Sequence, residues 1–163
     1  MKRSLSILAV FCVCVLSACN GGRPPRIGEA APDFTISDSQ RTVTLSQLRG
    51  KPVILNFWAS WCAPCVEEMP SLVQLQKKLG DKATVLAVSV DSDDNAFKQF
   101  VRDHNVDLLA VRDPKQISSA LYGTFKFPET YVIDKEGKIV RKFIGATDWT
   151  APDLVDYFNR LSL

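Results

Sequence analysis

After residue 19 the chain has only two cysteines, Cys62 and Cys65, and its single histidine is His104. A tetrahedral zinc site draws four ligands from Cys and His, so this shortage argues against structural zinc. A disulfide scaffold is excluded as well, and the fold must stand on its apolar core. No apolar run reaches the roughly 20 residues that a membrane-spanning helix needs; Leu5 to Leu16 is too short. Excess charge of either sign is also missing, since 20 Lys+Arg face 18 Asp+Glu. Losing Lys2 and Arg3 with a leader would bring the two signs level. Nothing in this balance argues for nucleic acid or for a purely electrostatic partner.

What is present begins with the N-terminus. A basic start, Lys2 and Arg3, precedes the short apolar run and then Leu16-Ser17-Ala18-Cys19. This reads as a secretory signal ending in small residues at a cleavage site. Because a cysteine follows them, the segment resembles a bacterial lipoprotein signal, with Cys19 lipidated, first in the mature chain and anchoring it to a membrane. The alternative is ordinary cleavage that leaves Cys19 as a free thiol. Residues 1–18 are then the signal peptide, 19–27 a tether containing two Gly and two Pro, and 28–163 one domain of ordinary size. Asn20, in place of the Asp that retains some lipoproteins at the inner membrane, points to outward sorting. Cys12 and Cys14 fall in the discarded segment.

Trp61-Cys62-Ala63-Pro64-Cys65 directly follows the apolar run Val53 to Trp58. A Cys-x-x-Cys pair where a buried strand meets a helix points to dithiol/disulfide exchange. The free N–H groups and dipole of a helix N-terminus stabilise an anion, which brings such thiols down to roughly 3.5–7.5 from about 8.5. Cys62 is the expected attacking thiolate. Cys65, one turn further in, is the resolving thiol, and Pro64 fixes φ in a turn that needs no backbone donor.

The apolar pattern alternates between two periods. Phe34 to Ile36 and Thr42 to Leu45 read as short strands, Val53 to Trp58 and Thr84 to Val90 as buried, parallel-type strands, and Leu108 to Val111 as a short apolar segment. Helical spacing covers Pro64 to Leu79, with a kink expected at Pro70; Asp94 to Asn105, entered through Ser92 or Asp93; Gln116 to Tyr122, ended by Gly123; and Ala151 to Leu161. Thr130 to Ile133 and Lys138 to Ile144 form a hairpin. Strands alternating with helices define an α/β domain, with a mixed sheet covered on both faces. Asp91 to Asp94 lacks the spaced ligands and Gly of a calcium loop and reads as loop plus helix cap. His104 reads as an exposed helix residue.

Ala31-Pro32-Asp33-Phe34, Asn56 to Cys65, Glu67-Glu68-Met69-Pro70, Phe127 to Tyr131 and Asp134 to Lys138 together resemble the TlpA-like, ResA-like and DsbE-like thiol:disulfide oxidoreductases, over about residues 28–160. The resemblance implies a thioredoxin fold with an N-terminal strand extension and an inserted strand-helix unit near residues 92–111. It implies a cis Pro128 beside the reactive pair, whose free backbone edge holds the substrate chain. Asn56 stands where cytoplasmic thioredoxins have a buried acid, and Glu68 matches an acid near the active site of ResA-like proteins, giving it the proton role; an exposed helix carboxylate is the plain alternative. Trp61 and Phe127 would contact substrate, with a core-capping role open for Trp61. Glu129 resembles the acid beside the proline in DsbE-like proteins, where it meets a partner or is simply a solvated strand end.

No cofactor or metal is expected, and the chain is expected to be a monomer; the resemblance further implies that it reduces disulfides of exported proteins, apocytochrome c among them, and is recharged by a membrane thiol donor. The neutral Ala63-Pro64 dipeptide resembles reducing members more than oxidising ones. Three rivals stand beside this: a disulfide oxidant or isomerase; a thiol peroxidase, which would want Thr or Ser where Ala59 stands; and a copper carrier, which would want a wider cysteine spacing and a ligating His.

Overall fold

In the computed structural model, which describes residues 23–162, the alternating pattern folds into one five-stranded sheet and a separate two-stranded hairpin. The signal segment and Cys19 lie outside the described residues. The hairpin is β1 (Thr35–Ser37) and β2 (Thr42–Thr44), followed by a 3-10 turn at Leu45–Leu48 that takes Leu45 out of the expected strand. The main run is β3 (Val53–Trp58), α1 (Ala63–Leu79), β4 (Thr84–Ser89), α2 (Asp94–Asp103), β5 (Leu109–Arg112) and α3 (Ile117–Leu121), then β6 (Glu129–Ile133), β7 (Ile139–Ile144) and α4 (Pro152–Leu161).

The sheet order is β5-β4-β3-β6-β7. β3 pairs in parallel with β4 and antiparallel with β6, so the strand carrying the cysteine motif lies in the centre, bonded on both edges. Residues 92–111 supply α2 and most of β5, which adds a parallel strand at the edge beside β4. This is the thioredoxin-like architecture, a central mixed sheet flanked by helices.

Every β3 residue is buried, and period-two alternation divides them between two cores. Ile54 and Trp58 face α1, α2 and α4, meeting Met69, Leu72, Phe97 and Phe158. Val53, Leu55 and Phe57 face the hairpin, meeting Phe34, Ile36, Tyr122 and Tyr131. Burying a large side chain of this kind contributes roughly 1.5–3 kcal/mol, so a strand buried on both faces ties the two halves together.

Several boundaries depart from the periodicity. α1 continues through Pro70 as one helix, with the proline on its exposed side. α3 starts at Ile117 because Gln116 is left-handed, φ 54°, and caps rather than joins it. β5 begins one residue late, at Leu109. The folded unit also begins before residue 28: Arg23 pairs with Glu29, the Gly28 N–H donates to the Ile139 carbonyl at 2.7 Å, and Pro24 packs on Gly123. Gly123 has φ 66°, and a Cβ there would collide with the Pro24 ring. Gly123→Ala should therefore cost about 1–3 kcal/mol, read as a lower urea midpoint with an unchanged slope.

Candidate active site

The reactive turn grows from the end of β3. The Cys62 N–H donates to the Ala59 carbonyl at 3.2 Å, Cys62 becomes the N-cap residue of α1, and the Cys65 N–H donates back to the Cys62 carbonyl at 3.0 Å. The two cysteines are joined in a disulfide with Cα atoms 5.3 Å apart. Ala63 and Pro64 are exposed in the first turn, whereas Cys65 is fully buried and Cys62 nearly so. On reduction, a Cys62 thiolate would sit against the unpaired N–H groups of the helix start, where negative charge is favoured.

Behind the pair, Asn56 and Glu68 form a buried polar centre. Glu68 is 3% exposed, far from the plain alternative of an exposed helix carboxylate. Its Oε1 accepts from Asn56 Nδ2 at 2.8 Å; its Oε2 accepts from the Thr147 N–H at 3.1 Å and from Trp149 Nε1 at 3.2 Å. Asn56 Nδ2 also donates to Thr130 Oγ1 at 2.9 Å. Burial pushes the Glu68 carboxyl above its usual range, and the three N–H donors only partly offset this. A cleft of about 230 Å³ lined by Glu67, Glu68, Ser71 and residues 146–148 lies beside it.

A raised carboxyl pKa means the fold favours the protonated form, a contribution present below the ordinary carboxyl range and lost as pH rises through the raised value. The chain should thus lose stability as pH climbs from about 4.5 toward neutrality, and Glu68→Gln should flatten that slope; urea midpoints across the range check it.

A second buried carboxylate escaped the reading of the sequence. Asp91 was grouped with Asp93 and Asp94 as loop plus cap, and Asp93 does cap α2, accepting from the Asn95 N–H at 2.8 Å. Asp91 instead faces inward to the reactive turn. It accepts from the Ser60 N–H at 3.1 Å, from Ser60 Oγ at 2.7 Å and from Ser89 Oγ at 2.6 Å. It therefore fastens the turn two residues before Cys62 to the end of β4. No sequence spacing signals this, because Ser60 and Asp91 meet only through parallel pairing of β3 with β4.

Around the mouth, Trp61 is 68% exposed, which places it on the surface rather than as a cap over the core. Its ring meets Phe127 edge to face at 6.2 Å. The Phe127–Pro128 peptide bond is cis, and Pro128 is buried. Glu129 is not a solvated strand-end charge: it is buried, ion-paired with Lys142 on β7 and approached by the Tyr131 hydroxyl at 3.4 Å. Its carboxylate is directed to its own sheet. His104 is exposed at the end of α2, stacked on Phe100.

A disulfide-bonded cysteine pair at the start of the helix that follows the central strand of this sheet defines a thiol-disulfide oxidoreductase of thioredoxin fold. Known proteins agree. The AhpC/TSA family model matches residues 27–142. Thiol-disulfide oxidoreductase ResA of Bacillus thuringiensis is 34% identical over 84% of this chain and 79% of its own length, and thioredoxin-like protein YneN of Bacillus subtilis is 38% identical over 72% and 71%. A crystal structure described as a thiol:disulfide interchange protein, DsbE, from Chlorobium tepidum superposes with a TM-score of 0.79, at 30% identity, over 85% of this chain and 99% of that one. The chain belongs to the AhpC/TSA family, among its ResA-like and DsbE-like thiol-disulfide oxidoreductases.

Proposed function

We propose that this enzyme works outside the cytoplasm as a monomer, held to a bacterial membrane through lipidated Cys19, and reduces disulfides in exported proteins. The haem-binding Cys-x-x-Cys-His segment of apocytochrome c is the substrate type, and a membrane thiol donor restores the reduced form. The observation that carries the reading is the pairing of Cys62 at the N-cap of α1 with a fully buried Cys65.

In the forward direction the Cys62 thiolate attacks one sulfur of the substrate disulfide, and the other leaves as a thiolate. Cys65 then loses its proton, attacks Cys62 Sγ and releases the second substrate thiol. Two electrons pass to substrate, and the Cys62–Cys65 disulfide remains. Glu68, held by Asn56, Thr147 and Trp149, is the group to accept the Cys65 proton, because its raised pKa brings it nearer neutrality. The surface made by Trp61, Phe127 and the Pro128 edge holds the substrate chain beside the pair; Glu129, paired with Lys142, shapes the base of that edge. Neutral Ala63 and Pro64 add no positive charge to stabilise the thiolate, which makes the pair a weaker oxidant.

The test is the reduction potential of the Cys62–Cys65 couple in defined thiol buffers. A value near or below about −270 mV supports a reductase; one near −120 mV makes the protein an oxidant instead.

A further inference from the structure

α3 is built inside out. Its serines are buried, Ser118 donating both N–H and Oγ to buried Asp113 Oδ2 at 2.8 and 2.6 Å, while Ile117 and Leu121 are 58% and 44% exposed. A five-residue helix that hides Ser and presents Ile and Leu has its apolar side unpartnered among the described residues. That side borders a broad groove of about 960 Å³, whose other wall is Arg23, Pro25 and Pro32. Ile27, in the same N-terminal segment, is also exposed.

Two facts identify what meets this face. Among the residues lining the groove, Arg23 and Lys115 are cationic and Glu29, ion-paired with Arg23, is the single acid, which leaves Lys115 without an acidic counterpart in the lining. Arg23, which lines the groove, also stands only four residues after Cys19. Four residue steps span at most about 14 Å fully extended. A lipid on Cys19 thus brings this wall of the domain, and no distant one, to the headgroups.

We propose that the groove face formed by residues 23–32 and α3 lies on an anionic phospholipid surface, with Ile117 and Leu121 seated among the headgroups and the groove-lining cations Arg23 and Lys115 beside them. The proposal rests on lipidation of Cys19, as proposed above. Exposed apolar groups flanked by Lys and Arg are what such an interface selects.

The test uses the full processed chain reconstituted into vesicles of phosphatidylethanolamine and phosphatidylglycerol with brominated acyl chains. Ile117→Trp reports on α3, and Lys78→Trp on α1 reports on the opposite side of the sheet; a thiol titration of the Cys62–Cys65 pair confirms that each variant is folded. Tryptophan at 117 should lose about half of its added emission, since interfacial side chains sit about 5–10 Å into the boundary. Tryptophan at 78 should lose none. Equal quenching at both sites, or none at 117 in a chain that carries lipid by mass and floats with the vesicles, overturns the face assignment alone, as would a dimer that shields residue 117 from quencher. A chain without lipid on Cys19 overturns the anchoring reading and this proposal together.

Discussion

Cys62→Ser is expected to reduce disulfide exchange to background, and Cys65→Ser to stop it halfway with a stable mixed disulfide. The asymmetry follows from burial and position. Cys62 caps α1 at the opening beside Trp61, so it alone can meet a substrate sulfur. A serine hydroxyl there does not ionise at neutral pH and cannot attack. Cys65 is fully buried one turn in and can reach only Cys62. Without it, the adduct has no internal nucleophile to release it. Mass spectrometry under non-reducing conditions should show the substrate adduct on Cys65→Ser and none on Cys62→Ser. Adducts on both variants would reverse the assigned order of attack.

Asp91→Ala should give the largest loss of stability among single changes near the site, about 2–4 kcal/mol. It leaves the Ser60 N–H, Ser60 Oγ and Ser89 Oγ without their acceptor, and an orphaned buried donor costs about 1–3 kcal/mol. Asp91→Asn keeps the shape and one acceptor oxygen, so about half the loss is expected. A denaturant midpoint that falls at constant slope measures it. A second reading separates local from global damage: with the turn unfastened, the alkylation rate of reduced Cys62 under native conditions should change. A simple loss of global stability would leave that rate at the parent value.

The chemistry was legible where it is local. Cys62 and Cys65 are three residues apart on one turn, and strand and helix are both visible in the apolar periods around them. The depth of Glu68 was legible only in part. Glu67-Glu68 looks like a solvated pair, but Glu68 follows Cys65 by three residues and precedes Leu72 by four, on the stripe that α1 buries. Its partners Thr147 and Trp149 lie about 80 residues on, brought in by the loop after β7, and no spacing rule connects them. Asp91 was hidden for the same reason. α3 was legible as a helix but not in its orientation, since Ile117 and Leu121 face outward while Ser118 and Ser119 are buried.

The position of β3 has a consequence for how the protein comes to exist. Asn56 pairs with Ala87 on one side and with Thr130, 74 residues later, on the other. Long-range pairings of this kind form late, after loop closure has been achieved. If the chain is exported N-terminus first, as proposed, it presents both cysteines well before β6 arrives to close the sheet. During that interval they are ordinary thiols, without the helix cap or the Glu68 centre, and open to any passing oxidant. The chain must finish its own strand pairing before the cysteine pair acquires its helix cap and the buried Glu68 centre beside it.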